Sequence, residues 1–179
     1  TLFRSGELRG AGGRAAAATG DLTDPGAAAR ALDELTSALG VPEVVVFCPL
    51  PDVALIRPVL ETSAADVRDA LALTVVGAAA VVRAVLPGML ERGSGALLFT
   101  NGGAAVRPSP ERAVSAVAYA GLNAYLDLLA RTLPERGVRV GRVTIVGPVG
   151  PGLAHEPAAV AEHLWRRHAL PDPAVTVLT

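Results

Sequence analysis

The stretch Gly93-Ser94-Gly95-Ala96-Leu97-Leu98-Phe99-Thr100-Asn101-Gly102-Gly103-Ala104-Ala105-Val106-Arg107-Pro108-Ser109-Pro110, followed by Ser115-Ala116-Val117-Ala118-Tyr119-Ala120-Gly121-Leu122-Asn123-Ala124-Tyr125, decides the fold. Ala96 to Thr100 has the length and apolar content of a fully buried parallel strand. Glycines and prolines then break the chain, and a long helix is predicted from Glu111 to about Glu135. The alternation repeats on both sides. Upstream, Val44 to Phe47 is a β-branched run suited to a second buried strand. Ser63-Ala64-Ala65-Asp66 has the form of a capping box and opens an apolar helix to about Arg92, which Pro87 should kink. Earlier still, Pro25 starts a helix at its favoured first-turn position, and Gly40 stops it after Leu39. Thr1-Leu2-Phe3 reads as the tail of a strand and Arg14 to Thr19 as a weak alanine-rich strand. Downstream come a strand from Val138 to Val146, an amphipathic helix from Pro157 to Ala169 and a last strand from Ala174 to Leu178. Strands alternating with helices imply an α/β domain, its mostly parallel sheet covered on both faces, over residues 1–179.

The chain's 179 residues suit one domain, able to bury roughly 70% of its unfolded surface. Aromatics are only 3% of a composition that is 51% hydrophobic, so Ala, Val and Leu must build the core. All 16 basic residues are arginine, scattered among 17 carboxylates for a net charge of −1. No basic stripe results, which argues against a nucleic-acid partner. The longest uncharged run, Ala70 to Val82, has 13 residues, short of the about 20 that a membrane crossing needs; it reads as a core helix, with no membrane partner. The single cysteine, Cys48, excludes an internal disulfide, and with no signal peptide at the start the chain reads as cytoplasmic. His163 and His168, five apart on a helix, diverge by about 140° and read as solvated surface residues, not as ligands of one metal. His155 has no companion ligand, and no Gly-x-Ser-x-Gly elbow supports a hydrolase.

In order and spacing these segments resemble the short-chain dehydrogenase/reductase family over nearly the whole chain. The resemblance implies a three-layer Rossmann-type sandwich, a cofactor that is NADP or NAD, and oxidoreductase chemistry. In that family the strand quoted first ends in a catalytic Ser, and the next helix carries Tyr-x-x-x-Lys. Overlaid on this chain, the Ser falls on Gly102, the Tyr on Ser115 and the Lys on Tyr119. Thr74 takes the place of a helix Asn that supports a proton relay. The family Tyr exchanges a proton with the substrate oxygen, while the Lys lowers the Tyr pKa and anchors the nicotinamide ribose. None of the three is intact here. Tyr119, one helical turn beyond Ser115 on the same face, reads either as a displaced acid or as an aromatic filling the space of the Lys. The same overlay puts Asp21 and Leu22 at the adenine, Cys48 and Pro49 at the adenosine ribose, and Tyr119 at the nicotinamide ribose. Pro148 and Val149 fall at the nicotinamide amide, and no metal site is implied. Arg4 stands where the family often meets the 2′-phosphate of NADP, or is an ordinary surface arginine.

The family's first strand-turn-helix unit, whose glycine-rich turn holds the pyrophosphate on backbone N–H groups, has no counterpart in the sequence. Gly10-Ala11-Gly12-Gly13 follows no clear strand and reads as a flexible loop. The chain therefore reads as a fragment of a longer protein, with Val44 to Phe47 as an exposed sheet edge. Two functions follow: an NAD(P)-dependent oxidoreductase with a degenerate site and an unidentified small-molecule substrate, or a non-catalytic homologue serving as a nucleotide-binding or scaffold subunit. The two long helices, with Gly77, Ala78, Ala79, Ala80, Ala120, Gly121 and Ala124, predict a homo-oligomer, because a helical Gly costs up to about 1 kcal/mol against Ala and its presence points to close approach of helices, as across a two-fold interface.

Overall fold

A computed structural model describes residues 2–50, 52–169 and 175–179. Its frame is one parallel sheet of four strands: β1 (Val44–Phe47), β2 (Gly95–Gly102), β3 (Val138–Ile145) and β4 (Val175–Leu178), adjacent in that order. The pairings run Val44 against Ala96, Gly95 against Val138 and Arg142 against Val175. Helices α1 (Leu2–Gly10) and α2 (Pro25–Leu39) precede the sheet, and α3 (Ala64–Leu71) and α4 (Gly77–Arg92) connect β1 to β2. Helices α5 (Ala113–Thr132) and α6 (Pro157–Ala169) make the next two crossovers.

Side chains alternate across each strand, and the sheet is covered accordingly. Phe47, Leu97, Phe99 and Val138 pack with Ala78, Val82, Val85 and Met89 of α4 and with Leu122 and Leu126 of α5. On the opposite face, Gly141 brings the backbone within reach of Leu98 and of Arg167 on α6. The result is the expected three-layer α/β sandwich. On that second face β1 is uncovered, and Val46 stays 49% exposed. Among the described strands, β1 lies at the apolar edge of the sheet, paired with β2.

Local punctuation explains the well-placed elements. Asp24 caps α2 by accepting from the Gly26 N–H at 2.8 Å, with Pro25 in the first turn and Gly40 ending the helix at φ +93°. Ser63 and Asp66 form the reciprocal capping box of α3: the Ser63 N–H donates to Asp66 at 2.8 Å and the Asp66 N–H donates to the Ser63 hydroxyl at 3.1 Å.

Three expectations need correction, and the long helix carries one interruption that was not expected. Leu2 to Gly10 is helical: Leu, Arg and Glu favour helix, and two apolar residues, Leu2 and Phe3, were too few to establish a strand. Arg14 to Thr19 forms no strand, since alanine contributes little to cross-strand packing and no described strand lies beside it. Pro87 sits inside α4, which runs on to Arg92. Upstream, the helix is interrupted by a π-helical segment at Ala72–Val76 whose last turn closes from the Gly77 N–H to the Ala72 carbonyl. Finally, the apolar helices are longer than the uncharged run suggested. Ala64–Arg92 and Pro110–Thr132 are long and apolar enough to cross a membrane by length and composition alone, but here they pack on the sheet and supply its core.

Candidate active-site cleft

In a parallel sheet, ligands bind beyond the carboxyl ends of the strands. The ends of β1, β2 and β3 open there into a cleft of about 800 Å³, lined by Pro49 after β1, Thr100 to Ala104 at the end of β2, and Ile145 to Val149 at the end of β3. Thr74 and Tyr119 project into it from the helical layer. A smaller cavity of about 200 Å³ adjoins it, sharing Leu73, Thr74 and Tyr119, with Ser115, Thr23, Asp52 and Asp69 on its other walls.

The floor is a buried polar chain. Thr144, fully buried on β3, donates its hydroxyl to Asn101 Oδ1 at 2.7 Å. The Asn101 amide donates in turn to Asn123 Oδ1 on α5 at 2.8 Å. Losing one partner of such a pair leaves a buried polar atom unsatisfied, typically at a cost of about 1–3 kcal/mol, so the chain fixes β2, β3 and α5 relative to one another just below Gly102. Asn101, Asn123 and Thr144 were not anticipated from sequence. The available signal was the spacing of Ser115, Tyr119 and Asn123, each one helical turn apart on the same face.

Gly102 and Tyr119 act as one unit. A Cβ placed on Gly102 would lie 3.2 Å from Tyr119 Cε2 and 3.4 Å from its hydroxyl, so the ring occupies space that a side chain at 102 would need. Burial pushes the Tyr119 pKa up, against smaller opposing effects of a hydrogen bond from the Gly102 backbone and the charge of Arg112. The phenol is therefore protonated near neutral pH. Thr74, only 6% exposed, sits in the π-helical segment, a type of distortion common at functional sites. Close approach of the Leu22 carbonyl to Gly77, where a Cβ would meet that oxygen at 2.7 Å, holds the distortion against the preceding loop.

The remaining overlaid residues separate into two groups. Thr74, Gly102, Tyr119, Pro49, Pro148 and Val149 share the cleft, whereas Ser115 faces only the smaller cavity. Asp21, Leu22 and Cys48 do not line the cleft. Asp21 turns back on its own loop, accepting from the Thr23 N–H at 2.8 Å and hydroxyl at 2.7 Å, which lowers its pKa. Cys48 is exposed and free. The backbone of Arg4 belongs to α1, not to the end of a strand.

His155 closes the wall after β3: its Nε2 lies 3.0 Å from the Val146 carbonyl, and its N–H donates to the Pro148 carbonyl at 3.2 Å. His163 and His168 are part-buried instead of fully solvated, His168 lying edge-on to Trp165 at 5.2 Å. Among the described residues no group of His, Cys, Asp and Glu could hold a metal.

Fold and cleft together define a Rossmann-type α/β protein with a cleft at its strand ends. The sequence matches, over residues 4–170, the family described as enoyl-(acyl carrier protein) reductase. A short-chain dehydrogenase from Rhodopseudomonas palustris superposes with a TM-score of 0.85 at 24% identity, over 99% of this chain and 80% of that one. A metagenomic short-chain oxidoreductase in complex with NADP gives 0.81 at 22% identity, over 98% and 77%. A short-chain oxidoreductase from Pseudomonas aeruginosa PAO1, solved with NADPH bound and described as containing an atypical catalytic center, gives 0.73 at 24% identity, over 91% and 58%. No curated protein matches the sequence. The chain belongs to the short-chain dehydrogenase/reductase family.

Proposed function

We propose that residues 1–179 form one NAD(P)-binding domain of an oxidoreductase whose customary proton-transfer residues have been replaced. The cleft takes the nicotinamide end of NADP or NAD, with Pro148 and Val149 at the amide and Tyr119 at the ribose. The observation that carries this reading is the joint placement of Thr74, Gly102 and Tyr119 in one cleft at the strand ends. Relatives solved with NADP or NADPH support the cofactor class. Among the described residues no strand precedes β1, so Gly10 to Gly13, which follow helix α1, do not form the family's glycine-rich turn between a first strand and its helix. Without those oriented N–H donors, isothermal titration of this chain should give a Kd for NADPH and for NADH weaker than about 10 μM, the equivalent of about 7 kcal/mol. Tighter binding would show that the pyrophosphate is held elsewhere and overturn this assignment of parts.

The second reading, a non-catalytic nucleotide-binding or scaffold subunit, is favoured by the Tyr119 ring pressed against Gly102 with its pKa raised. Turnover separates the two readings, because a scaffold gives none at any cofactor concentration.

Self-association belongs to the same proposal. Gly77 and Gly121 make their close approaches within the chain, to the Leu22 carbonyl and to Val75, so they do not mark an interface. Val117 (48% exposed) and Leu128 (58%), with Ala120 and Ala124 between them, instead leave an apolar stripe on α5. A two-fold pairing of this stripe would cover it. Light scattering at micromolar concentration should give twice the chain mass, and a well-folded monomer would contradict the pairing. The exposed, unpaired Cys48 is compatible with a reducing cytoplasm.

A further inference from the structure

We propose that Arg107 and Arg112 hold the anionic group of the substrate, which is an organic acid with an apolar body. This rests on the cleft being the oxidoreductase site. Both arginines line the cleft, and no Asp or Glu does, although carboxylates outnumber arginines in the chain, 17 to 16. Among the other arginines, Arg30, Arg57, Arg68, Arg142 and Arg166 pair with carboxylates, whereas Arg9, Arg83, Arg136 and Arg139 are exposed away from the cleft and make no side-chain hydrogen bond or ion pair among the described residues. Arg92 donates to the Pro42 carbonyl at 3.0 Å, and Arg131 to that of Asp127 at 3.1 Å. Neither Arg107 nor Arg112 has a side-chain partner among the described residues. Two unpaired guanidiniums on one wall of a cleft without carboxylates form an anion receptor, because the guanidinium fork matches the two oxygens of a carboxylate or phosphate.

Position strengthens the assignment. Arg112 flanks the start of α5, a helix of 20 residues with no side-chain cap, whose positive end adds to the field. Its charge reaches the Tyr119 phenol, so a bound anion would lie beside the proposed reacting end. Leu50 (88% exposed) and Val149 (45%) line the same cleft and offer apolar surface to the rest of the molecule.

The test measures binding of octanoate, octanamide and octyl phosphate by isothermal titration, with and without NADPH. Octanoate should bind about tenfold or more tightly than octanamide, as expected for gaining a charge-assisted fork. R107Q/R112Q, checked for intact fold by circular dichroism, should bring that ratio to about one while leaving octanamide binding unchanged. Tighter binding of octyl phosphate than octanoate supports the site and identifies a phosphoryl group as the preferred anion. Equal binding of octanoate and octanamide, no binding of either at about 10 mM, or a ratio unmoved by R107Q/R112Q would overturn the proposal. So would displacement of octanoate by NADPH, since the arginines would then serve the cofactor's phosphates. If NADPH binds away from the strand ends while the octanoate preference persists, the oxidoreductase reading fails and the anion receptor stands.

Discussion

Turnover with a simple ketone and NADPH should rise by about 10²-fold or more when Gly102→Ser, Ser115→Tyr and Tyr119→Lys are combined, since a positioned general acid typically contributes about 10²–10⁴-fold. The three changes have to be made together. Gly102→Ser alone drives its Cβ to within 3.2 Å of the Tyr119 ring, a contact that the neighbour must yield to accommodate. Tyr119→Lys removes that ring and supplies the cation that lowers a neighbouring Tyr pKa. Ser115 faces the cavity of about 200 Å³ beside Thr74, so a Tyr introduced there has open space in front of it. Each single variant should show little or no gain in initial rate. A triple variant with wild-type circular dichroism and no increase in rate would mean that the three positions do not converge on a reacting centre.

The largest stability effect is expected at a glycine far from the cleft. Gly137 lies at φ +78° where the chain turns into β3, and a Cβ there would run into the Gly93 carbonyl oxygen. Gly93 has a similar left-handed conformation, φ +70°, but open space around it. Gly93→Ala should therefore cost only the conformational penalty, about 1–2 kcal/mol. Gly137→Ala adds a backbone collision and should cost about 3 kcal/mol or more, a large share of the about 5–15 kcal/mol of a typical domain. Urea unfolding of the two variants measures the difference directly. Equal midpoints would contradict the close packing of the two turns that align β2 and β3.

Much of the frame was legible because its signals are local. Asp24-Pro25 and Gly40 bracket α2, the β-branched run Val44–Phe47 is β1, and Pro157 opens α6. Legibility failed where the deciding partner is remote in sequence. Asn101 resembles a turn residue and β2 was expected to end at Thr100; the strand continues to Gly102 where Thr144, on the neighbouring strand, donates to the buried Asn101 Oδ1 and Asn123 accepts from its amide. The π-helical segment around Thr74 depends on the Leu22 loop crossing at Gly77, and the presence of both Arg107 and Arg112 at the cleft depends on the path of the β2–α5 connection. Leu2 to Gly10 failed for the opposite reason, since a two-residue apolar run carries too little periodicity to separate strand from helix. At the candidate site, Gly102 and Tyr119 lie side by side, and only the folded chain shows that Ser115 opens into a different cavity from the main cleft.

The central claim, that the strand ends form the nicotinamide site, is tested most directly by amide chemical-shift mapping of the ¹⁵N-labelled chain with NADPH at about millimolar concentration, high enough to populate a weak complex. The expected shifts centre on Thr74, Gly102, Gly103, Tyr119, Gly147 and Val149, with α6 unaffected. Saturable shifts confined to α6 or the outer face of α2, or no shifts at all, would contradict it.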